Sequence, residues 1–483
     1  MIQRNATEYV TRMSKCFPVV SITGPRQSGK TTLARTVFPN YEYLNLENPD
    51  TMHEAISDGA SFFRNHTAPL ILDEAQRVPE LLSRIQVMVD EKPSQKGMFI
   101  LTGSQQPRLK EGLSQSLAGR VAIATLLPLS IAELEGAKIK QTRESYMHNG
   151  FMPRLYNEGI APFDVYENYL ATYVERDVNQ IANIKNRREF DMFLRVLAGR
   201  AGQLVNCQSI ANDIGVSVPT VKNWISVLEA CFIITTLPCY YRNFGKRFVK
   251  APKIYFTDVG MLTHLLGIRE ESQIVRDPLF GAIFENMVVM EAFKAKLNRG
   301  LPPDLYFIRD RSGTEVDLVA EQGRKLHLFE IKASASYSAD FTKNMDKLAK
   351  DIPDIASRNV IYSGDDLPNG KTAGYFNFKS IERLMKELSL LYYQTSPAIS
   401  RHSASFPTSY LLERMAARSI VRRGRSCVHI PRPPWQGQPL RHSSSVRFTF
   451  CRNSNDLCDV FFIESLPLFA YSLLPYSTGN QVR

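Results

Sequence analysis

No stretch of about eighteen consecutive apolar residues occurs in the 483-residue chain, so a membrane-spanning helix is not expected. The most apolar late segment, 459–475, is interrupted by Asp459, Glu464, Pro467 and Pro475. Cysteine is sparse and scattered over positions 16, 207, 231, 239, 427, 451 and 458. None of these falls into a paired metal-ligand spacing, and such scatter suits a reducing, cytoplasmic setting rather than a disulfide framework. The opening residues MIQRNATEYVTRMSK lack the apolar core of a secretory leader. Lysine is missing altogether from residues 391–483, which hold eleven Arg and four acidic residues. That stretch supplies +7 of the net +11, leaving +4 (11 − 7) for the first 390 residues. A nucleic-acid argument from overall charge would therefore rest mostly on the tail. The tail is rich in Ser, Arg and Pro, with no sustained helical or strand period. It reads either as a basic tail for nucleic acid or as translation in a shifted frame, and on both readings 389–483 is expected to be disordered.

What the chain does have begins at residue 24. Residues 24–31 read GPRQSGKT, and residues 70–74 read LILDE. The first is a phosphate-binding loop: Gly24 and Gly29 let the backbone turn and approach phosphate oxygens, and the amides of Pro25-flanking residues Arg26, Gln27 and Ser28 face the anion. The N-terminus of the following helix, expected over Lys30 to Phe38 and including Thr32, adds its dipole. Lys30 reaches the β- and γ-phosphates, and the Thr31 hydroxyl is a ligand for Mg2+. The apolar run 17–23 is the strand that feeds the loop. A second strand, Pro69 to Leu72, ends at Asp73, placed to hold Mg2+, and Glu74, the natural general base for attack on the γ-phosphate. A third, Met98 to Leu101, delivers Thr102 and Ser104, either of which suits a side chain that senses the γ-phosphate. Arg120, ahead of the apolar run Val121 to Leu127, has the reach of an arginine finger in cis or from a neighbouring subunit. Strands alternating with helices over 1–135 define an α/β domain with a mostly parallel sheet.

A chain this long exceeds a single core. Residues 136–200 read as helical, with a turn at 150–153 and a charged stretch at 175–177. Over 206–230, Ile210, Ala211 and Ile214 make one apolar face, Gly215 breaks the helix, and Ser217 caps the next, in which Val221, Trp224, Ile225 and Leu228 recur at helical spacing. This is a helix–turn–helix within 201–265, with 240–247 as a basic wing, serving DNA contact or protein packing. Beyond it, strands over 307–309, 315–320 and 325–332 place Asp317 and Glu330 on one face, as diagonal neighbours if Glu321 pairs with Arg324 across a tight turn. With Lys332 beside them and Glu285 on a preceding helix, they form a candidate second cation site, or a solvated polar face held by a Lys–Glu pair.

These pieces, GPRQSGKTTLAR, LILDEAQRVPEL, FILTGSQ, SLAGR, GFMPRLY, YVERDV, KIYFTDVGML, GAIFENMVV and TEVDLV–LFEIKAS, resemble in their order a prokaryotic AAA-like P-loop ATPase with a C-terminal DUF4143 region. The resemblance covers roughly 5–385. It implies ATP rather than GTP, with Mg2+, bound by a domain over 1–135. It also implies a winged helix over 201–265 and, over 266–388, an α/β module similar to the PD-(D/E)XK nucleases. In that module Asp317, Glu330 and Lys332 take the acidic and basic positions and Glu285 the helix acid. Val316 stands where the proline of the nuclease motif is expected. The implied activity is ATP hydrolysis coupled to DNA or to a protein partner, including further copies of the chain. An ATP-regulated nuclease and a non-hydrolysing, nucleotide-sensing adaptor are the alternatives.

Overall fold

A computed structural model describes residues 1–104, 116–172, 186–240, 251–350, 352, 354–368, 370 and 373–395. Five strands, β1 (Val19–Thr23), β2 (Glu42–Asn45), β3 (Leu70–Asp73), β4 (Phe99–Gly103) and β5 (Val121–Thr125), form one sheet in the order β2-β3-β4-β1-β5. Every pairing in it is parallel. Its three central strands are buried along their whole length, which is why they read as unbroken apolar runs. Alternate side chains serve opposite faces. Val19, Leu70, Leu72, Phe99 and Leu101 pack with the helix Glu80–Glu91 on one side. Val20, Ile22, Ile71 and Ile100 pack with Leu33 and Ala34 of the helix Lys30–Val37 on the other. The α/β core with a parallel sheet is thus present as expected.

The later segments share one large core, and residues from Tyr240 and Val316 to Met345 and Tyr375 form a smaller one of their own. One apolar cluster runs from Leu127 through Phe151, Phe193, Leu228, Tyr255 and Phe284 to Met385, across the expected boundaries near 200 and 265. The helices Cys207–Ile214 and Val218–Ala230 stand where the helix–turn–helix was expected. They lead into β6 (Ile234–Leu237), which pairs antiparallel with β7 (Lys253–Phe256). Of the expected wing, Tyr240 is buried and donates its backbone N–H to Phe307 O at 2.7 Å. Residues 241–247 lie outside the described residues, as does the charged stretch 175–177. After the helix Phe280–Leu297 comes a second sheet of β8 (Leu305–Arg309), β9 (Glu315–Gln322), β10 (Lys325–Ile331), β11 (Ile355–Tyr362) and β12 (Gly374–Asn377). The first three strands are antiparallel, and β10, β11 and β12 run parallel.

The β9–β10 turn differs from expectation. Gln322 pairs with Lys325 and Leu326 with Glu321. Gly323 has φ 61° and opens a two-residue loop, the position that a Gly-X hairpin reserves for glycine. Continuing the register sets Asp317 opposite Glu330, not diagonal to it. The slip is two residues, so each side chain keeps its face. A last helix, Ile381–Thr395, runs past residue 388, where the tail was expected to begin. The rest of that tail, from 396, lies outside the described residues.

One clamp positions the turn at 150–153. Asp258, just after β7, accepts from Tyr166 OH at 2.6 Å, Phe151 N at 2.9 Å and Gly260 N at 2.9 Å. Gly150 has φ 69°, and a Cβ there would overlap both the Tyr166 hydroxyl and the Asp258 carboxylate. Replacing Asp258 by Ala strands two buried amides, each costing about 1–3 kcal/mol, and leaves the Tyr166 hydroxyl only Asn149 O, at 2.9 Å. Asp258→Ala is expected to lower the melting temperature by several degrees, whereas Asp50→Ala on the surface leaves it within experimental error. Equal melting curves would contradict the clamp.

Candidate functional site

The strand order decides the site. β4 lies between β1 and β3, so the loop leaving β1 and the acidic pair ending β3 face each other across the end of β4. That is the carboxyl edge of the strands, where open α/β sheets build their crevice. Gly24 has φ 152° and packs so tightly on the Leu126 backbone that a Cβ would overlap it. Gly29 caps the helix Lys30–Val37 at φ 91°. Lys30 is buried, 5 % exposed, and donates to Pro25 O at 2.7 Å. Burial pushes its pKa down to about 8, against the pull of Glu74 and Asp73.

Asp73 is the hub. It accepts from Thr31 Oγ1 at 2.9 and 3.0 Å, from Tyr43 OH at 2.8 Å, and from Thr102 Oγ1. Thr102 Oγ1 in turn accepts from Glu74 N at 3.3 Å. Glu74 sits at φ 55°, a left-handed conformation uncommon outside glycine, which swings its side chain out of the strand line. Ser104 Oγ and the Gln76 amide both donate to Glu74 Oε2, the former at 3.1 Å. The two candidate sensors therefore divide the work: Thr102 serves Asp73 and Ser104 serves Glu74. The Thr31 hydroxyl and the Asp73 carboxylate are hard oxygen donors already in contact, a set that fits Mg2+. Arg26 lies 3.6 Å from Glu47. Ser28 Oγ is buried and has no protein partner.

Three features escaped sequence reasoning. Tyr43, on β2, touches Asp73 only because β2 lies beside β3. Burial, then Asp73, pushes its phenol well above the usual range. Arg4, 8 % exposed, donates to Ser28 O at 2.6 Å and Leu127 O at 2.6 Å, and its Nε reaches Glu133 at 3.1 Å. Nothing local marks that arginine. Pro153, Arg154, Asn157 and Glu158 were likewise unforeseen; they share a cavity of about 430 Å³ with Gly29, Lys30, Thr31, Thr32 and Glu74. A cavity of about 520 Å³ on the other side of Thr31 and Thr32 includes neither Lys30 nor Glu74. Arg120 does not line the nucleotide cavity within one chain: its guanidinium is bidentate to Asp90, at 2.6 and 2.8 Å.

The second candidate cluster is closed by its own lysines. Glu285 accepts from Lys253 at 2.9 Å and Tyr255 OH at 2.6 Å, and Lys253 also meets Glu315 at 2.5 Å. Glu330 accepts from Lys332 at 2.7 Å, and Asp317 Oδ2 from Ile331 N at 2.8 Å. Burial and then Asp317 push both glutamates up. Glu330 Oε2 is buried without a partner. Among the described residues no group of three or more His, Cys, Asp or Glu is arranged to hold a metal ion. Lys253 is bonded to Glu285 and Lys332 to Glu330, while Asp317 lies 3.8 Å from the Lys332 amine.

A parallel sheet, a glycine-rich loop capping a helix and a carboxylate hub beside it define a P-loop nucleoside-triphosphatase. Comparison with known proteins narrows the class. Residues 17–135 match the family described as "AAA domain", 140–272 a domain of unknown function (DUF8612) and 280–379 the domain of unknown function DUF4143. An uncharacterized protein of Mycobacterium tuberculosis is 31% identical over 372 residues, 75% of this chain and 80% of that one, and one of Mycobacterium bovis matches equally. The chain belongs to the AAA-type P-loop ATPases that carry a DUF4143 domain, enzymes that bind and hydrolyse nucleotide. Among solved structures, a Walker-type ATPase of Pyrococcus abyssi is 15% identical, at TM-score 0.38 over 55% of this chain and 96% of that one. A DNA replication initiation factor is 17% identical, at TM-score 0.24 over 44% and 69%. Among the described residues no helix is long and apolar enough to cross a membrane.

The lowered Lys30 pKa sets a pH dependence. The amine is fully charged below about pH 7 and loses its charge as pH rises through about 8. A nucleotide that requires the charged form should bind with unchanged affinity below that point, then progressively more weakly, taking up protons on binding. Titration calorimetry from roughly pH 6.5 to 9.5, in buffers of different ionisation enthalpy, measures both effects. A flat affinity with no proton uptake would contradict the buried, depressed lysine.

Proposed function

We propose that the chain is an ATP-driven switch, whose nucleotide state is passed from the P-loop domain to the C-terminal modules and used to engage a macromolecular partner. In this reading the loop Gly24 to Thr32 holds the phosphates, with Lys30 on the β- and γ-phosphates. Thr31 and Asp73 would hold Mg2+, which when bound supplies neutralisation of the phosphate charge. Glu74 is the general base that takes the proton of the attacking water. Ser104 and Gln76 orient its carboxylate, and Thr102 and Tyr43 orient that of Asp73. Arg120 is available to a neighbouring subunit if the chain assembles.

The observation that carries the switch is a buried polar chain leading away from the phosphate loop. Arg4 bonds Ser28 O and Glu133. Glu133 accepts from Ser130 N at 2.9 Å, and the next residue's amide, Ile131 N, donates to Glu291 at 2.8 Å. Lys294 pairs with Glu291 at 2.7 Å and donates to Leu129 O at 2.8 Å. Glu291 and Lys294 belong to the helix Phe280–Leu297, inside the DUF4143 segment. Buried ionic groups of this kind tolerate displacement poorly, so a shift of the loop backbone is felt at that helix.

A second reading has its own support. Lys222, Asn223 and Ser226 on the helix Val218–Ala230 are exposed, while its other face is in the core. A helix so presented suits a DNA groove, which makes DNA the candidate partner for a winged-helix function. Cleavage of that DNA gains no support from the lysine-closed cluster around Asp317 and Glu330.

Glu74→Gln is expected to bind ATP with Mg2+ as the native chain does but to turn over about 10²–10⁴-fold more slowly. Lys30→Ala should lose binding itself. Phosphate release and equilibrium binding, with and without duplex DNA, separate the cases. Native-like turnover in Glu74→Gln would remove that residue from the chemistry.

A further inference from the structure

We propose that the cavity of about 520 Å³ beside the helix Lys30–Val37 is a regulatory site for a small aromatic anion, a planar ring carrying a carboxylate or a phosphate, and that Tyr43 relays its occupancy to Asp73. The relay rests on Asp73 being a magnesium ligand of the nucleotide site. The site itself does not.

The cavity is set apart from the phosphate loop. It borders Thr31 and Thr32 but no residue from Gly24 to Lys30, so a polyphosphate held by the loop lies outside it. Its volume falls within the roughly 300–1,000 Å³ of small-molecule sites. The apolar lining comes from Phe38, Tyr41 and Tyr43, around the entry to β2, and from Ile71 on β3. The Phe38 and Tyr41 ring centroids lie 4.9 Å apart, tilted by 37°. Rings so gathered along one wall suit a flat aromatic body, which gains stacking and edge contacts beyond simple burial.

Charge selects the rest of the ligand. Among the described lining residues, Arg35 has the one charged side chain. Its guanidinium stacks on Tyr43, with Cζ 4.9 Å from the ring centroid, and among the described residues no carboxylate pairs with it. Stacking fixes the guanidinium plane and leaves the N–H donors, which lie in that plane, to a forked acceptor. Arg26, Arg77 and Arg120 of the same domain each face a carboxylate instead. An acid group attached to a ring meets both demands. A neutral nucleoside meets only the first and inorganic phosphate only the second.

Tyr43 joins the two sites. Arg35 lies over its ring, and its hydroxyl donates to Asp73 Oδ2 at 2.8 Å. Thr31, on the same cavity wall, donates to both oxygens of that carboxylate. Tyr43 belongs to an edge strand and is only partly buried, so one side of it is open to the cavity. A ring seated there, with its anion on Arg35, fixes the phenol where it braces Asp73. Ordering supplied by one ligand is not asked of the next, so each ligand tightens the other.

The probe is 1-naphthoate on the full chain, followed by ligand-observed NMR. Acetate supplies the charge without the ring, and 1-naphthalenemethanol the ring without the charge. 1-Naphthoate should bind, and both controls should bind at least about tenfold more weakly. 1-Naphthyl phosphate run beside it distinguishes the two acids, the tighter of the pair naming the ligand class. Arg35→Gln should weaken 1-naphthoate by about tenfold while leaving the alcohol within about twofold, which also certifies folding. Lys30→Ala should leave 1-naphthoate binding unchanged. Saturating 1-naphthoate should tighten Mg2+-dependent ATPγS binding by about fivefold, and Tyr43→Phe should keep 1-naphthoate but lose that gain. Absent binding, indifference to Arg35, or ATPγS affinity equal with and without the probe would each overturn the proposal and leave the nucleotide site standing. Outright competition between 1-naphthoate and ATPγS would overturn it by making the cavity part of the nucleotide's own seat. A native chain that binds no ATPγS would sink the nucleotide reading and the relay with it.

Discussion

The structure depends first on where β4 sits. Placing it between β1 and β3 separates the phosphate loop from the acidic pair by one strand width, about 4.8 Å per step. The gap is too wide for backbone contact and the right size for side chains. Thr31 spans it to Asp73, and the end of β4 supplies the hydroxyls of Thr102 and Ser104 that brace the two acids from beneath. The left-handed bend at Glu74 follows from the same geometry. Asp73 ends a strand that must stay in register with β2 and β4, so only the next residue is free to turn toward the cavity.

A second constraint ties this domain to the rest of the chain. The loop is held from behind by Arg4, a buried cation whose desolvation is offset by Glu133 and by three backbone carbonyls. Glu133 and Glu291 in turn satisfy the amides at the start of the helix Ile131–Gly136, and Lys294 lies 3.9 Å above the Phe151 ring. Phe151 is the residue whose amide Asp258 clamps. The back of the phosphate loop, the turn that walls the cavity and the long helix of the DUF4143 segment thus share one buried polar framework. A framework of this sort has few ways to relax by degrees, which suits a two-position device better than a graded one.

Much of this was legible in the sequence because the signals are local. GPRQSGKT and LILDE need only neighbours along the chain to be read, and the strands behind them are apolar runs. The hairpin of β9 and β10 was legible by face but not by pairing. Period two survives a two-residue slip, whereas the loop register depends on which residue takes the positive φ, and that was Gly323. What sequence could not supply is long-range electrostatics. Arg4 finds Glu133, Lys253 finds Glu285 and Arg120 finds Asp90 only in three dimensions. Lys253, which meets Glu285, comes from a strand with no sequence link to it, whereas Lys332 lies two residues from its partner Glu330. The arginine brought to the cavity was Arg154, not Arg120, because the turn before it is anchored by an aspartate about a hundred residues later, a link that no periodicity encodes.

The central claim is that nucleotide state reaches the C-terminal module through this framework. Hydrogen exchange on the full chain, comparing the ATP-loaded Glu74→Gln form with the ADP-bound native form, tests it directly. The account predicts a nucleotide-dependent change in the amides of the helix Phe280–Leu297, beyond the protection of the loop at 24–32, and loss of that distant change in Arg4→Met. Exchange differences confined to the phosphate loop and its immediate walls, with the long helix identical in both states, would contradict it.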